Sequence, residues 1–127
     1  MASRPTTVAL IVAAGSGSRV GGAQPKQFRL VRGKPMLWHS YAALSAHPDI
    51  DQVYVAIGAG QETEAAAALT GLKEPIFVQG GATRRESVHL GLVAIAAHAA
   101  IDQVLIHDAA RPFLPGIVIE DLLDALL

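Results

Sequence analysis

Short apolar runs alternate along the chain with amphipathic segments, a pattern typical of strands that alternate with helices. The run TVALIVAA at residues 7–14 is apolar throughout, which predicts a strand covered on both faces. Similar runs predict three further strands at residues 51–57, 75–78 and 102–107. Four strands separated by helices indicate a parallel sheet with right-handed crossovers.

The segments between these strands have helical spacing or many glycines. Helices are predicted at residues 35–46, 61–69, 85–99 and 115–127. The third has a stripe of apolar residues at Val88, Leu92 and Ile95. Residues 15–33 form a long predicted loop with five glycines and one proline. We therefore predict a three-layer, Rossmann-like α/β fold, a mostly parallel sheet flanked by helices, as a single domain over residues 1–127.

Composition excludes several classes of partner. The 127 residues are 51% apolar and 17% charged, which is globular, and a net charge of −1 provides no general attraction for nucleic acid. There are no cysteines, so disulfides and thiolate metal sites are excluded. No basic-then-apolar leader opens the chain, and the apolar run at residues 90–101 is too short to span a bilayer. We expect a cytoplasmic protein without a membrane or nucleic-acid partner.

The loop after the first strand has the composition of a phosphate site. It reads AAGSGSRVGGAQPKQF at residues 13–28. Gly15 and Gly17 permit positive φ and close backbone approach, and free N–H groups in such a turn form an anion-binding concavity. Arg19 and Lys26 add positive charge, so the loop suits a nucleoside triphosphate.

Two common nucleotide motifs do not fit this loop. A dinucleotide fingerprint requires GxGxxG, but Val20 stands where the third glycine is needed, and no carboxylate for a ribose follows the second strand. The Walker pattern GxxxxGK[ST] is also missing from the sequence. An ordinary surface loop remains the alternative, although loops of this length in compact domains are usually functional or disordered.

A second polar turn, GGATRRESVHLGL at residues 80–92, follows the third predicted strand. Its glycines allow a flat ligand to approach the backbone, and Arg84 and Ser87 offer hydrogen bonds. Thr83 and Glu86 have the spacing of a helix capping box, which we favour as their role.

A third turn, HDAARPF at residues 107–113, follows the fourth predicted strand. Asp108 could ligate Mg²⁺, which takes one or two carboxylates plus substrate phosphates, or it could cap the turn. Arg111 has two open interpretations, a phosphate or partner contact and an ion pair with Asp108. We interpret His107 as a packed residue at the strand end. The carboxyl ends of parallel strands meet at one edge of a sheet, so these turns predict a single site.

These three motifs, in this order, resemble the 2-C-methyl-D-erythritol 4-phosphate cytidylyltransferases of the non-mevalonate isoprenoid pathway. The resemblance runs from the first strand to HDAARPF. It implies the nucleotide-diphospho-sugar transferase type of fold and transfer of CMP from CTP to 2-C-methyl-D-erythritol 4-phosphate, with release of pyrophosphate. A ribitol-5-phosphate or other sugar-phosphate cytidylyltransferase, a non-catalytic CTP-binding fragment and a purely structural domain remain alternatives.

The resemblance also implies residue roles. Arg19 and Lys26 would be catalytic and stabilise charge at the reacting α-phosphate. Asp108 would be the Mg²⁺ ligand. Nucleotide contacts are implied for Ala13, Ala14, Gly15, Ser16, Gly17, Gly81, Arg84 and Ser87.

The resemblance also bears on the extent of the chain. Members of the family continue well beyond the length seen here, and the acceptor site and a dimerising arm lie in that part. We therefore expect a fragment of a longer or fused enzyme that is a homodimer at full length, and we expect an isolated fragment to catalyse poorly.

Overall fold

The computed structural model describes residues 5–14, 26–98 and 100–109. Its strands are β1 (Thr7–Ala13), β2 (Leu30–Val31), β3 (Lys34–Pro35), β4 (Gln52–Ile57), β5 (Ile76–Gln79) and β6 (Gln103–Asp108). Its helices are α1 (Met36–Ala46), α2 (Glu62–Ala68) and α3 (Arg84–His98), with a 3-10 turn at Lys26–Phe28.

Four of the strands form the predicted parallel sheet. Their order is β5-β4-β1-β6, and every neighbouring pair is parallel. The chain moves outward from β1 through β4 to β5 and then returns to the other side of β1, so the direction of winding reverses between β1 and β6. Ligands of such sheets bind outside the carboxyl ends of the strands at this reversal.

Helices cover the sheet on both faces, which confirms the three-layer prediction. On one face, α1 and α2 bury a core with Ile11, Leu37 and Tyr41. On the other, Ile95 of α3 packs with Leu10 and further residues of β1 and β4. All seven residues of β1 are buried, as expected for a strand between two helical layers.

The seven predicted elements in the described ranges are present, each with bounds within one residue of the prediction. Three strands start one residue late, and in two of them, β4 and β6, the aspartate just before the strand is bonded to the backbone at the start of β1. The Asp51 carboxylate accepts the Thr7 N–H and the Asp102 carboxylate accepts the Thr6 N–H, both at 2.8 Å. The predicted helix at residues 115–127 lies outside the described residues.

The predicted loop at residues 15–33 was wrong in its second half. Lys26–Phe28 forms a 3-10 turn, and β2 pairs with β3 as a small antiparallel hairpin. Arg32 and Gly33, the two residues between these strands, have φ of 52° and 82°. Positive φ at both central residues is the geometry that two-residue hairpin turns favour, but the usual sequence signal is Asn-Gly or Asp-Gly.

The predicted stripe on α3 was also wrong in part. The buried row is Ser87, Gly91 and Ile95, whereas Leu92 is 37% exposed. At Gly91 a Cβ would lie 2.6 Å from a methyl group of Leu10, so the helix approaches β1 most closely there. Close approach at Gly91 places a row with a serine and a glycine against the sheet, which a hydrophobic pattern cannot indicate.

None of the helices in the described part of the chain is both long enough and apolar enough to cross a bilayer.

Candidate functional site at the carboxyl edge of the sheet

The carboxyl ends of the four parallel strands are tied together by backbone hydrogen bonds. The Gly80 N–H, just past β5, donates to the Ile57 carbonyl at the end of β4 at 2.7 Å. The Ala109 N–H, just past β6, donates to the Val12 carbonyl of β1 at 3.0 Å. The segments that follow β5 and β6 are therefore fastened to neighbouring strands, and the polar turns predicted from sequence start from one edge.

The Gly80–Gly81 turn is packed too tightly for any side chain. A Cβ on Gly80 would overlap the Ala14 methyl group and lie 2.7 Å from the Ser87 hydroxyl, and a Cβ on Gly81 would overlap Glu86. Ser87 is 1% exposed, and its hydroxyl accepts the Gly81 N–H at 3.1 Å. Three of the predicted nucleotide contacts therefore lie together at this turn, namely Ala14, Gly81 and Ser87. The Ser87 hydroxyl is hydrogen-bonded to the backbone of the turn.

The capping role predicted for Thr83 is confirmed. Its hydroxyl accepts the Glu86 N–H at 3.1 Å, and its carbonyl accepts the Ser87 N–H at 3.0 Å. The side chains of Thr83 and Glu86 also meet at 3.4 Å. This cap starts α3 at Arg84, one residue before the prediction.

Arg84 and Asp108 form an ion pair across this edge. Arg84 Nε donates to Asp108 Oδ1 at 2.9 Å, and the two side chains are 59% and 35% exposed. Both residues were predicted to be in the site, but sequence analysis missed this pair because the partners start from α3 and β6. The proposed alternative partner of Asp108, Arg111, lies outside the described residues.

The 3-10 turn brings Lys26 to the same edge. Lys26 is exposed, while the two residues after it, Gln27 and Phe28, are buried. Gln27 Nε2 donates to the carbonyl of Ala13, the last residue of β1, at 2.7 Å. The sequence predicts no role for Gln27 beyond its position within PKQF.

A second glutamine joins this anchor from the end of β4. Gln61 Oε1 accepts the Gly58 N–H at 3.0 Å and lies 3.5 Å from Gln27 Nε2. Gln61 was predicted only as part of a helix. No local pattern could have indicated the contact, because 34 residues separate the two glutamines.

The remaining predicted site residues, Gly15, Ser16, Gly17, Arg19 and Arg111, lie outside the described residues. Within the ranges that the structure describes, no three or more His, Asp or Glu side chains cluster as a ready-made metal site. A single strand-end carboxylate, Asp108, fits a Mg²⁺ whose other ligands come from substrate phosphates and water.

The sequence is similar to known proteins over most of its length. The family model for 2-C-methyl-D-erythritol 4-phosphate cytidylyltransferase (IspD) matches residues 7–127. A bifunctional enzyme IspD/IspF of Rhizorhabdus wittichii is 55% identical over 126 residues, which are 99% of this chain and 32% of that protein. A 2-C-methyl-D-erythritol 4-phosphate cytidylyltransferase of Chromobacterium violaceum is 44% identical over 94% of this chain and 52% of that protein.

Solved structures agree with the sequence comparisons. A 4-diphosphocytidyl-2C-methyl-D-erythritol synthase of Anaerococcus prevotii superposes with a TM-score of 0.76 at 26% identity, over 96% of this chain and 51% of that one. The Francisella tularensis 2-C-methyl-D-erythritol 4-phosphate cytidylyltransferase has a TM-score of 0.72 at 29% identity, over 94% and 51%. The chain thus spans about a third of the bifunctional relatives and about half of the monofunctional ones.

Proposed function

Because the chain belongs to the 2-C-methyl-D-erythritol 4-phosphate cytidylyltransferase family, we propose that it forms the CTP-binding part of an enzyme that transfers CMP to 2-C-methyl-D-erythritol 4-phosphate. The step is an in-line displacement. A phosphate oxygen of the acceptor forms a bond to the α-phosphorus of CTP, the bond from that phosphorus to the bridging oxygen breaks, and pyrophosphate leaves. The protein contributes positioning and charge stabilisation to such a step.

The observation that best supports this proposal is the meeting of cationic, carboxylate and tightly turned backbone groups at one sheet edge. Lys26 directly precedes Gln27, which is anchored on β1, while Arg84 starts α3 and Asp108 ends β6. This edge is where the winding of the sheet reverses, which is the usual ligand position for the fold.

The phosphate end of CTP is assigned to the loop after β1. We propose that the backbone of residues 13–17 surrounds the triphosphate and that Arg19 and Lys26 stabilise the charge that develops on the α-phosphate and on the leaving pyrophosphate. Preorganised cations that act on developing charge are among the larger contributions to catalysis.

The nucleoside end is assigned to the turn after β5. Neither Gly80 nor Gly81 has room for a side chain, so a flat base that approaches this turn would meet backbone atoms. Ser87 supports the turn through its hydrogen bond to Gly81, and Arg84 adds a donor at its rim. A rigid backbone surface of this kind suits a pyrimidine edge.

Asp108 is the proposed ligand of the catalytic Mg²⁺. A bound Mg²⁺ would neutralise charge on the substrate phosphates. Arg84 Nε donates a hydrogen bond to one oxygen of this carboxylate and so orients the carboxylate before substrate binds. Arg111 is proposed to contact a phosphate or a partner residue.

We further propose that the acceptor site lies in the remaining part of the longer polypeptide and that this polypeptide is a cytoplasmic homodimer. The first point is supported by the coverage of the relatives, because the match covers 32% of the Rhizorhabdus wittichii protein and 52% of the Chromobacterium violaceum protein.

Pyrophosphate release by the full natural polypeptide tests the proposed function. With CTP, Mg²⁺ and 2-C-methyl-D-erythritol 4-phosphate we expect turnover, and we expect little when CTP is replaced by UTP or when the acceptor is ribitol 5-phosphate. Turnover with ribitol 5-phosphate instead would reassign the acceptor. CTP binding without any release would support a non-catalytic nucleotide-binding module.

A further inference from the structure

We infer that Gln27 and Gln61 are positioning residues for Lys26, because their side-chain amides fasten the 3-10 turn to the carboxyl ends of β1 and β4. This inference rests on the proposed function, in which Lys26 acts on the reacting phosphate. Neither glutamine needs to touch a substrate for this role.

The first anchor is buried and short. Gln27 is 5% exposed, and its Nε2 donates to the Ala13 carbonyl at 2.7 Å across 14 residues of chain. Leaving a buried carbonyl without a donor costs folding free energy. The bond therefore favours the position of the turn in which Gln27 reaches Ala13. Phe28, which is buried in the core beside α1, fixes the other side of the same turn.

The second anchor holds the first in place. Gln61 closes a tight turn after β4, with its N–H donating to the Gly58 carbonyl at 3.1 Å and its Oε1 accepting the Gly58 N–H at 3.0 Å. A Cβ at Gly58 would lie only 3.0 Å from that oxygen, so the amide packs directly against the backbone. The same oxygen lies at the long limit of a hydrogen bond from Gln27 Nε2, 3.5 Å away.

Backbone partners determine which atom of each amide is the donor and which the acceptor. The Ala13 carbonyl can only accept, so it must face the Gln27 nitrogen, and the Gly58 N–H can only donate, so it must face the Gln61 oxygen. In these contacts the Gln27 amide is a donor and the Gln61 amide is an acceptor. Gln61→Glu keeps that acceptor, whereas Gln27→Met removes the whole amide.

Lys26 depends on these anchors because it directly precedes Gln27 and is itself exposed. Its ammonium group is at the end of a flexible four-carbon stem, so the position of its backbone limits what the charge can reach. A displacement of about 1 Å at a reacting centre can cost on the order of 100-fold in rate. Loosening the turn should therefore lower kcat more than it weakens CTP binding.

The test compares Gln27→Met, Gln61→Ala and Gln61→Glu in the full natural polypeptide. Methionine keeps the approximate length of Gln27 without its amide, and glutamate keeps the acceptor of Gln61. We expect kcat to fall about tenfold or more in Gln27→Met and Gln61→Ala, with KM for CTP within about threefold, and to recover largely in Gln61→Glu. Tyr41→Phe, which removes a buried side-chain-to-backbone bond elsewhere, is the matched control and should retain kcat.

The decisive measurement repeats Gln27→Met in a Lys26→Ala background. A residue that acts through Lys26 has no further effect once Lys26 is absent, whereas general loosening of the fold lowers the residual rate again. Thermal unfolding shows whether each variant folds. If Gln27→Met does not fold, the same double-variant measurement is made with Gln61→Ala, which alters a half-buried side chain.

The inference is overturned if folded Gln27→Met keeps kcat within twofold, if Gln61→Glu loses as much as Gln61→Ala, or if the loss persists without Lys26. A wild-type polypeptide that releases no pyrophosphate contradicts the proposed function itself, and with it this inference. The two failures are thus distinguished by the wild-type rate.

Discussion

At the scale of single residues, the exposed ion pair between Arg84 and Asp108 contributes little to folding stability but places two charged groups in the proposed site. The two side chains are 24 positions apart in sequence and meet at 2.9 Å, yet both are substantially exposed. Solvent screens such pairs, so the median contribution to folding is below about 1 kcal/mol. Their value to the protein is then the placement of a carboxylate and a guanidinium at the sheet edge.

We therefore predict that Arg84→Gln lowers the free energy of unfolding by less than about 1 kcal/mol while lowering turnover of the full polypeptide about tenfold or more. Urea denaturation and pyrophosphate release measure the two effects. Arg85→Gln is the matched control, because it makes the same charge change one position along the helix and should leave turnover intact. A large loss of stability with normal turnover in Arg84→Gln would contradict the prediction.

Lys26 offers the more direct test of charge at the reacting phosphate. Lys26→Ala should lower kcat on the order of 100- to 1,000-fold while the fold remains intact, because a stabilising charge is lost from the transition state. We expect the same of Arg19→Ala. Circular dichroism and kcat are the measurements, with Lys73→Ala, at an exposed lysine before β5, as the control. Near-full turnover in a folded Lys26→Ala protein would remove the catalytic assignment.

At the scale of the elements, the packing of α3 on β1 depends on a glycine. The buried row Ser87, Gly91 and Ile95 brings the helix so close that a methyl group on Gly91 would meet both Leu10 methyl groups at 2.6 and 2.7 Å. A glycine inside a helix ordinarily costs about 1 kcal/mol relative to alanine. Here that cost is offset by the close packing it permits.

Gly91→Ala should therefore destabilise the protein by about 1–3 kcal/mol, despite the better helix propensity of alanine. Thermal or urea unfolding measures the change. Ala96→Gly, at an exposed position of the same helix, gives the propensity contribution alone and should cost about 1 kcal/mol. A stabilised Gly91→Ala protein would show that α3 can move away from β1 without loss.

At the scale of the whole molecule, Tyr41 connects two distant parts of the chain. Tyr41 is a buried residue of α1, and its hydroxyl donates to the carbonyl of Lys73, which precedes β5, at 2.7 Å. Burial, with a smaller contribution from the nearby Glu74 carboxylate, raises the pKa of Tyr41 from 10.0 to about 12. The folded state thus favours the neutral phenol.

The sign of this shift predicts how stability depends on pH. The contribution of Tyr41 is fully present below pH 10 and is lost as the pH rises from 10 through 12, because the unfolded chain releases the proton first. Ultraviolet absorbance should show a tyrosinate transition near pH 12 that is missing in Tyr41→Phe, and the variant should lose less stability between pH 10 and 12. An unchanged titration in Tyr41→Phe would contradict the assignment.

Much of the fold could be predicted from the sequence because its signals are local. Apolar runs and helical spacing located seven elements within one residue, and the GGATRRES segment starts directly after β5, as predicted. The Thr83 cap followed from a spacing of three residues. Each of these properties depends on residues that are close together in the chain.

What the tertiary structure alone decided depends on contacts between distant residues. The hairpin at residues 30–35 lacks the usual turn signal, the buried row of α3 follows from close approach to β1, and the contacts Arg84–Asp108 and Gln27–Gln61 join different elements. The sequence by itself determined which elements form and which turns bear polar chemistry, since periodicity and turn composition are local. Only the packed sheet decided which polar groups meet, since the partners are brought together by the order of its strands.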